Sequence, residues 1–174
     1  MMSQAVVLVL LAVLGHISGN FGANIAKGGK VTQSSVGWDG IPERAIDGNR
    51  ASVYQQRSCS HTARGDKKPW WRLDLLKTYN INTVTITNRR DCCHKRINGA
   101  EIRIGNSLND NGNNNPRCDV ISSLGPGTSK TFACKGMEGR YVNIVIPGRR
   151  EYLTLCEVEV TGTETVDSSE NDCG

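Results

Sequence analysis

The feature that most restricts the fold is a set of short runs in which apolar and polar side chains alternate with a period of two. In residues 70–75, one face carries Trp71, Leu73 and Leu75. Further runs place these side chains on one face: Val84 and Ile86, Ile102 and Ile104, and Val142, Ile144 and Ile146. Such alternation is typical of half-buried β-strands. With Gly, Asn and Pro turns between the runs, the sequence predicts an all-β sandwich or jelly roll.

The N-terminal segment, residues 1–22, is predicted to be a secretory signal peptide. Val6 to Leu14 form an apolar run, and the small residues Ser18, Gly19 and Gly22 follow it. A membrane anchor is the alternative, but a helix that spans a bilayer needs roughly 18 or more apolar residues. A short apolar run followed at once by polar sequence is typical of a cleaved signal. The protein is therefore expected to be secreted and extracellular.

The rest of the chain has the length of one domain, predicted at residues 23–162. A domain of about 150 residues buries roughly two thirds of the surface of its unfolded chain. Within it, the segment from Gly105 to Arg117 is rich in Asn and Gly and is predicted to be a surface loop. From Thr163 onward the residues are small, polar and acidic, so residues 163–174 are predicted to form a disordered tail.

The cysteines and the net charge restrict the chemistry further. All seven cysteines, at positions 59, 92, 93, 118, 134, 156 and 173, follow the predicted signal peptide. In a secreted protein they are expected to form disulfides and not metal thiolates. The odd number leaves one cysteine over, which we expect to be Cys173 in the tail. The net charge of +4 comes in no long block, so neither a nucleic acid partner nor membrane insertion is predicted.

The segment from Asn88 to Arg96, NRRDCCHKR, holds two adjacent cysteines among five charged side chains. The planar fork of an arginine suits vicinal hydroxyls or an anion, and an aspartate among arginines can hold that fork in one orientation. The histidines after the signal are His61 and His94, and neither lies in a nucleophile motif such as Gly-x-Ser-x-Gly. We therefore predict a rigid polar pocket that binds its ligand, and no enzymatic activity.

Several motifs can be compared with a known family. They are AIDGNR (45–50), SCSHT (58–62), PWWRLDL (69–75), TITNRRDCCHKR (85–96), NGAEIRIG (98–105) and LCEVEV (155–160). Together they resemble the F-type lectins, the fucose-binding fucolectins, over nearly all of residues 24–161. The family signature is a histidine, a spacer, Arg-x-Asp, four residues and Arg or Lys. Arg89, Asp91 and Arg96 match its second half in spacing, and His61 supplies the histidine with a spacer one residue longer than is typical.

The resemblance implies a jelly-roll β-sandwich of the galactose-binding-like type, with the sugar held by loops at one end. It implies that His61, Arg89 and Arg96 hydrogen-bond the axial 4-hydroxyl, the 3-hydroxyl and the ring oxygen of L-fucose, while Asp91 orients an arginine. It also implies that Tyr54 packs against the C6 methyl group of the sugar. Taken alone, Tyr54 is equally well an ordinary half-exposed tyrosine.

The resemblance also implies how the cysteines pair. The implied disulfides are Cys59–Cys156, Cys118–Cys134 and Cys92–Cys93. The bond between the adjacent Cys92 and Cys93 would form a flat apolar platform against the sugar. From the residues alone two alternatives remain: each of these cysteines pairs with a distant partner, or both bind zinc with His94. Zinc is the weaker alternative, because adjacent ligands fit a tetrahedral site poorly and the compartment is oxidising.

The resemblance further implies a structural calcium ion. The matching ligands are the backbone carbonyls of Arg44, Asn49, Ser58 and Cys156 and the side chains of Asp47, Ser58 and Glu157. Hard oxygen ligands in number are what Ca²⁺ requires. Taken alone, the sequence Asp47-Gly48-Asn49 is simply a turn.

The sequence thus predicts a secreted, calcium-containing lectin for L-fucose on glycans, expected to recognise fucosylated microbial surfaces in innate immunity. A single sugar site binds weakly, so avidity is expected to come from homo-oligomers or arrays. Two alternatives remain open. Arg64-Gly65-Asp66 is an RGD tripeptide that would serve integrin-mediated cell adhesion. A discoidin-like module of the same fold would instead bind membranes or galactose.

Overall fold

The computed structural model describes residues 22–166, which form an antiparallel β-sandwich. The predicted signal peptide lies outside the described residues except for Gly22, and so does Cys173. The strands are β1 Lys30–Gln33, β2 Ser60–His61, β3 Trp70–Thr87, β4 Ala100–Gly105, β5 Arg117–Ile121, β6 Ser129–Val145, β7 Thr154–Leu155 and β8 Glu157–Glu164. Short 3-10 helices lie at Ile25–Gly28, Pro42–Ala45, Tyr54–Gln56, His94–Ile97 and Asn109–Gly112.

The two long strands, β3 and β6, contribute to both layers of the sandwich. The first half of β3 pairs with β1 and the end of β6, while its second half pairs with β8 and the start of β6. Between the halves the register shifts from Asp74 to Tyr79, and Leu76 takes a φ of 69°. Strands β4 and β5 extend the sheet beyond the second half of β6, and β2 and β7 form a separate two-stranded ladder.

The buried core confirms the strand faces predicted from the alternation. The predicted inward side chains are all at most 5% exposed: Trp71, Leu73, Leu75, Val84, Ile86, Ile102, Ile104, Val142, Ile144 and Ile146. On the opposite face of β6, Asn143 is buried as well, because its Nδ2 donates to Asn111 O at 2.8 Å. The segment predicted to be a surface loop therefore covers part of the sheet, with Asn113 and Asn115 buried in it.

The domain extends beyond the predicted boundary at residue 162. Thr163 and Glu164 are the last residues of β8 and pair with β3, and Thr165 N donates to Thr78 O at 3.0 Å. The predicted tail thus begins too early. A strand end requires only backbone hydrogen bonds, so its lack of apolar side chains was a poor guide. Residues 167–174 lie outside the described part of the chain.

The three predicted disulfides are present. They are Cys59–Cys156, Cys118–Cys134 and Cys92–Cys93. The first connects the residue before β2 to the residue before β8 across a sequence separation of 97, and the second connects β5 to β6. Among residues 22–166, no helix is long and apolar enough to cross a membrane.

Candidate functional site

The loop after β3 carries the segment NRRDCCHKR, and its first residue, Asn88, holds the loop in place. Asn88 is only 2% exposed. Its Nδ2 donates to the carbonyls of His94 and Leu124 at 2.9 Å each, and its Oδ1 accepts from Arg89 N at 2.8 Å. A buried amide with partners on both its donor and its acceptor side is a rigid connection. Asn88 therefore fixes the backbone from which the arginine side chains of this loop project.

A cavity of about 220 Å³ opens beside this loop. Its lining residues are Trp38, Tyr54, His61, Arg89, Cys92 and Arg96. Every lining residue except Trp38 was predicted from the sequence. Two predicted residues do not line the cavity. Asp91 binds Arg89, which does line it. Cys93 is exposed and has a φ of 63° at the start of a 3-10 helix. The disulfide therefore contributes one of its two cysteines to the cavity wall.

Arg89 is held by Asp91 through two parallel hydrogen bonds. Arg89 Nε donates to Asp91 Oδ1 at 2.8 Å, and Nη2 donates to Oδ2 at 2.7 Å. The same carboxylate accepts from Tyr54 N at 3.2 Å, and the Tyr54 ring centroid lies 4.6 Å from Arg89 Cζ. The hydrogen bonds, above all that from Arg89, lower the pKa of Asp91 to about 2. Asp91 is therefore ionised at neutral pH, and the other N–H donors of Arg89 remain available to the cavity.

Arg96 belongs to the 3-10 helix His94–Ile97 and is flanked by Glu151 and Tyr152. Arg96 Nε lies 3.7 Å from Glu151 Oε1, and Arg96 Cζ lies 4.5 Å from the Tyr152 ring centroid. At 3.7 Å the contact with Glu151 is an ion pair and not a hydrogen bond. No residue in the described part of the chain accepts a hydrogen bond from the Arg96 guanidinium, so its donors are available to a ligand.

His61 lies in β2 opposite Thr154 of β7 and is 3% exposed. Its Nδ1 is 2.6 Å from Thr62 O. Because a carbonyl only accepts, Nδ1 carries the hydrogen, and Nε2 of the neutral ring is an acceptor. Burial, aided by the charges of Arg96 and Arg89, lowers the pKa of His61 from its usual 6.5 despite the bond to Thr62. The cavity thus contains one acceptor beside two arginine donors.

The position of His61 depends on a close approach by Gly40. A Cβ atom on residue 40 would lie 2.5 Å from His61 Cβ and 2.6 Å from His61 N, which is closer than real Cβ contacts. The two backbones are joined, since His61 N donates to Gly40 O at 2.9 Å. Gln33 Nε2 donates to Gly40 O at 2.9 Å and to His61 O at 3.1 Å. A side chain at position 40 would therefore displace the turn that carries Trp38.

Two aromatic residues at the site were not predicted. Trp38 is 63% exposed and has a φ of 48°, and its ring centroid lies 4.9 Å from that of His61. Tyr152 lies 5.2 Å from the His61 ring and 5.4 Å from the Trp38 ring, measured between centroids. The hydroxyl of Tyr54 donates to Trp38 O at 2.5 Å. The one signal in the sequence was a single tryptophan in a Gly-rich turn, where no strand would bury it.

Among the residues predicted to bind calcium, Glu157 is a buried carboxylate beside the turn that contains Asp47 and Gly48. Glu157 is 1% exposed, and its two oxygens accept from Gly48 N at 3.1 and 3.2 Å. Burial, with the nearby charge of Asp47, raises the pKa of Glu157 to about 7. Asp47 itself accepts from Asn49 N at 2.8 Å. Among residues 22–166 Glu157 forms no ion pair, and the charge of Lys27 only partly offsets the effect of burial on its pKa.

The donor set around Glu157 fits a hard cation. Ser58 and Cys156 are fully buried; Cys156 is bonded to Cys59, which follows Ser58, and Arg44 lies in the 3-10 helix before Asp47. No group of three or more His, Cys, Asp or Glu side chains gathers anywhere in the described residues. A cation here would therefore be held by two carboxylates and by carbonyl and hydroxyl oxygens, which is a combination that suits Ca²⁺.

The RGD tripeptide lies in the loop after His61, and its aspartate is engaged within the protein. Asp66 Oδ2 accepts from Ser34 Oγ at 2.7 Å and from Ser35 Oγ at 2.5 Å. Ser35 Oγ also accepts from Ala63 N at 2.8 Å. A carboxylate that already accepts hydrogen bonds from two hydroxyls is less available to a receptor. Asp66 therefore stabilises its own loop, which weakens the cell-adhesion alternative.

A larger cavity of about 730 Å³ lies on the outer face of β3, β6 and β8. Its lining is mostly Thr, Ser and Asn, with one ion pair between Arg50 and Glu159 at 2.6 Å. Hydroxyls on this face bond to one another, as in the pair Thr83 and Thr161 at 2.6 Å. Within the described part of the chain the buried Nδ2 of Asn24 has no partner, but this face has no pair of arginines converging on an acceptor like that around His61.

Comparisons with known proteins were made by family model and by sequence. A family model described as F5/F8 type C, NedA-like, galactose-binding domain matches residues 44–144. Among curated proteins, fucolectin-5 of Anguilla japonica is 52% identical over 143 residues, which cover 79% of this chain and 75% of that protein.

Solved structures of other proteins also match this chain in fold and sequence. The F-lectin (fucolectin) from the serum of striped bass, Morone saxatilis, matches at 57% identity with a TM-score of 0.80, covering 84% of this chain. This chain spans 49% of the bass lectin, about half of its length. A fucose binding module of Streptococcus pneumoniae matches at 32% identity with a TM-score of 0.70, covering 80% of this chain and 95% of the module.

Proposed function

This chain belongs to the F-type lectin family, the fucolectins, and we propose on that premise that it binds L-fucose on glycans. Family membership also makes it a carbohydrate-binding protein and not an enzyme. One observation carries the proposal: His61, Arg89 and Arg96 line a single cavity with hydrogen-bonding atoms that no described residue occupies. His61 Nε2 accepts a hydroxyl hydrogen, and the arginines donate to hydroxyl and ring oxygens.

This arrangement discriminates between sugar epimers. A hydroxyl that donates to His61 Nε2 can accept from Arg89 and Arg96 at the same time, so one axial hydroxyl satisfies all three groups. An epimer without that hydroxyl leaves them unpaired, at a cost of about 1–3 kcal/mol for each buried group. Tyr54 and Cys92 supply apolar surface on the cavity wall, which suits the C6 methyl group and a ring face of fucose.

Calorimetric titration with L-fucose, D-galactose and D-mannose in calcium-containing buffer tests the proposal. Saturable binding of L-fucose, with D-mannose at least about 10-fold weaker, is the expected result, since 10-fold corresponds to about 1.4 kcal/mol and one unpaired group costs that much. D-galactose binding as tight as L-fucose binding would favour the galactose-binding module. No binding of any of these sugars would refute the proposal.

The affinity for L-fucose is expected to fall as the pH is lowered, with the midpoint of the loss below 6.5, the usual pKa of histidine. The reason is that burial lowers the pKa of His61, so Nε2 remains mostly an acceptor at neutral pH. Protonation at lower pH turns Nε2 into a donor and adds a positive charge beside two arginines. Asp91, with a pKa of about 2, stays ionised and does not contribute. Calorimetry at several pH values measures the profile.

The variant His61→Gln is the control for this profile. Its amide cannot be protonated in this range, so its weaker binding should be independent of pH. A midpoint of the affinity loss above pH 6.5 in the native protein would contradict the lowered pKa of His61.

The proposal includes a structural calcium ion bound by the residues around Glu157. The carbonyls of Arg44, Asn49, Ser58 and Cys156 and the side chains of Asp47, Ser58 and Glu157 would hold it. The ion would supply a positive charge in direct contact with the buried carboxylate of Glu157, which forms no ion pair with a described residue. Because Cys156 and Ser58 adjoin β7 and β2, bound calcium would also stabilise the ladder that places His61.

Removal of calcium with EDTA at about pH 8 is expected to lower the Tm. A calcium concentration of about 100 times the Kd stabilises the folded state by about 2.7 kcal/mol, which corresponds to roughly 5–10 °C for a domain of this size. The variant Glu157→Gln should show no difference between calcium and EDTA, whereas Glu164→Gln, at the exposed end of β8, should respond as the native protein does. An equal calcium response in Glu157→Gln would contradict this site.

The metal-free protein is expected to be more stable near pH 5 than near pH 8. The folded pKa of Glu157, about 7, exceeds its usual value of 4.5, so the folded state binds the extra proton. The stability from this group is complete below 4.5 and is lost as the pH rises through 7. Thermal unfolding in EDTA at both pH values measures it, and Glu157→Gln should flatten the difference.

Secretion, recognition of fucosylated microbial surfaces and avidity from homo-oligomers complete the proposal. The serum origin of the striped bass lectin supports an extracellular location. A single cavity of about 220 Å³ contacts one sugar, so tight binding to a cell surface requires several copies.

A further inference from the structure

A second cavity, of about 250 Å³, adjoins the sugar site. Its lining residues are Arg64, Gly65, Arg150, Glu151 and Tyr152. Tyr152 connects the two cavities: it lines the second, and its ring centroid lies 4.5 Å from Arg96 Cζ and 5.2 Å from the His61 ring centroid at the first. A glycan held at Arg96 can therefore extend across Tyr152 into the second cavity.

Two arginines give this second cavity a positive charge. Arg64 and Arg150 are exposed, and neither has an ion-pair or side-chain hydrogen-bond partner among residues 22–166. The one acid in the lining, Glu151, is already engaged: its Oε1 lies 3.7 Å from Arg96 Nε and accepts from Tyr152 N at 2.9 Å. An unpaired guanidinium binds a sulfate or a carboxylate through two parallel N–H bonds.

The backbone that carries these arginines is fixed before any ligand arrives. Thr62 N donates to Leu153 O at 3.0 Å, and Leu153 N donates to Thr62 Oγ1 at 2.9 Å, which continues the β2–β7 ladder. Arg64 closely follows this junction, and Arg150 closely precedes it. Beyond Arg64, Asp66 accepts hydrogen bonds from two serine hydroxyls. Preorganisation of this kind lowers the entropic cost of binding.

We propose that this second cavity is an anion subsite and that the preferred ligand is a fucosylated glycan with an anionic group on another sugar near the fucose. The group is a sulfate or a sialic acid carboxylate, which share the chemistry that a guanidinium recognises. This inference rests on the proposed binding of L-fucose at His61, Arg89 and Arg96. It also gives a role to Arg64 of the RGD tripeptide that does not involve cell adhesion.

The test is calorimetric titration of the mature protein with L-fucose, Lewis a, sulfo-Lewis a and sialyl-Lewis a. The last two carry a sulfate or a sialic acid on the galactose of Lewis a. At about 50 mM NaCl we expect at least one anionic glycan to bind about 10-fold tighter than Lewis a, the size of one charge-assisted contact. At about 500 mM NaCl the preference should shrink to below about 3-fold, because both arginines are exposed to screening.

The double variant Arg64→Gln/Arg150→Gln separates this subsite from the fucose site. It should bind L-fucose and Lewis a as the native protein does and lose the preference for the anionic glycan. The control Lys30→Gln/Lys135→Gln removes the same charge from exposed positions outside both cavities and should keep the preference. A retained preference in the arginine variant would overturn the inference.

The outcomes distinguish the inference from the function on which it rests. If the native protein binds L-fucose but binds Lewis a and both anionic glycans equally, the anion subsite is refuted and the lectin proposal stands. If it does not bind L-fucose, the proposed function fails and the subsite with it. A preference for only one of the anionic glycans assigns the subsite to sulfate or to carboxylate.

Discussion

Arg89→Ala is expected to weaken L-fucose binding by at least about 100-fold, equivalent to about 2.8 kcal/mol. The change removes the donors that face the sugar, and hydrogen bonds to charged groups are worth about 1.5–3 kcal/mol each. It also leaves Asp91, whose carboxylate now holds the Arg89 fork at 2.7 and 2.8 Å, without its partner beside the cavity. An unpaired negative charge would then lie close to the position where a sugar oxygen binds. Calorimetric titration with L-fucose measures the loss.

The neighbouring residue provides the matched control. Arg90 is exposed and does not line the cavity, so Arg90→Ala removes an equal charge from the same loop and should keep the native affinity. Arg89→Lys keeps the charge but not the planar fork, and it should bind nearly as poorly as Arg89→Ala. Native affinity in Arg89→Lys would show that charge alone suffices, and native affinity in Arg89→Ala would remove Arg89 from the site.

The parts of the molecule that could be predicted from sequence are those encoded by neighbouring residues. The strand faces follow from a period of two, which depends on backbone geometry alone. The loop from Asn88 to Arg96 is also continuous in sequence, so one segment carries both Arg89 and the Asp91 that orients it. The spacing of the motif therefore specified the geometry of that pair before any tertiary contact was known.

The rest of the site depends on contacts between distant segments. Trp38 and Tyr152 approach His61 from two separate loops, and neither lies in a pattern that indicates a partner. Asn143 lies on the strand face opposite Val142 and Ile144, yet it is buried because the loop containing Asn111 covers it. Alternation assigns a residue to a face, but it does not show which loop covers that face.

The additional residue between His61 and Arg89 also shows that the site depends on contacts between distant segments. The spacing differed from the family pattern, yet His61 lines the same cavity as Arg89. Its position is fixed by the β2–β7 ladder and by Gly40, neither of which lies between the two residues. The length of the intervening chain therefore has little influence on the geometry of the site, and the loop containing Asp66 can absorb the difference.

Removal of the Cys59–Cys156 disulfide by a double substitution to alanine is expected to reduce the free energy of unfolding by up to about 4–5 kcal/mol. This estimate is the chain-entropy value for a sequence separation of 97. A single domain has a total stability of about 5–15 kcal/mol, so the change removes a large part of it. Urea unfolding followed by tryptophan fluorescence measures the change, since Trp71 is fully buried.

The same variant is expected to weaken L-fucose binding, because the disulfide anchors β2 and β7 and thereby positions His61. The other two disulfides separate stability from function. Substitution of Cys118 and Cys134, with a sequence separation of 16, should reduce stability by about 3 kcal/mol and leave fucose affinity unchanged.

Substitution of Cys92 and Cys93 opens no loop, since these cysteines are adjacent, so it should alter fucose affinity with little loss of stability. The chain-entropy account thus predicts that the loss of stability increases with loop length. The loss of affinity should instead be greatest for the disulfides that line the cavity or position its residues. Equal stability losses in the three double variants would contradict the first part. An unchanged affinity without the bond at Cys92, which lines the cavity, would contradict the second.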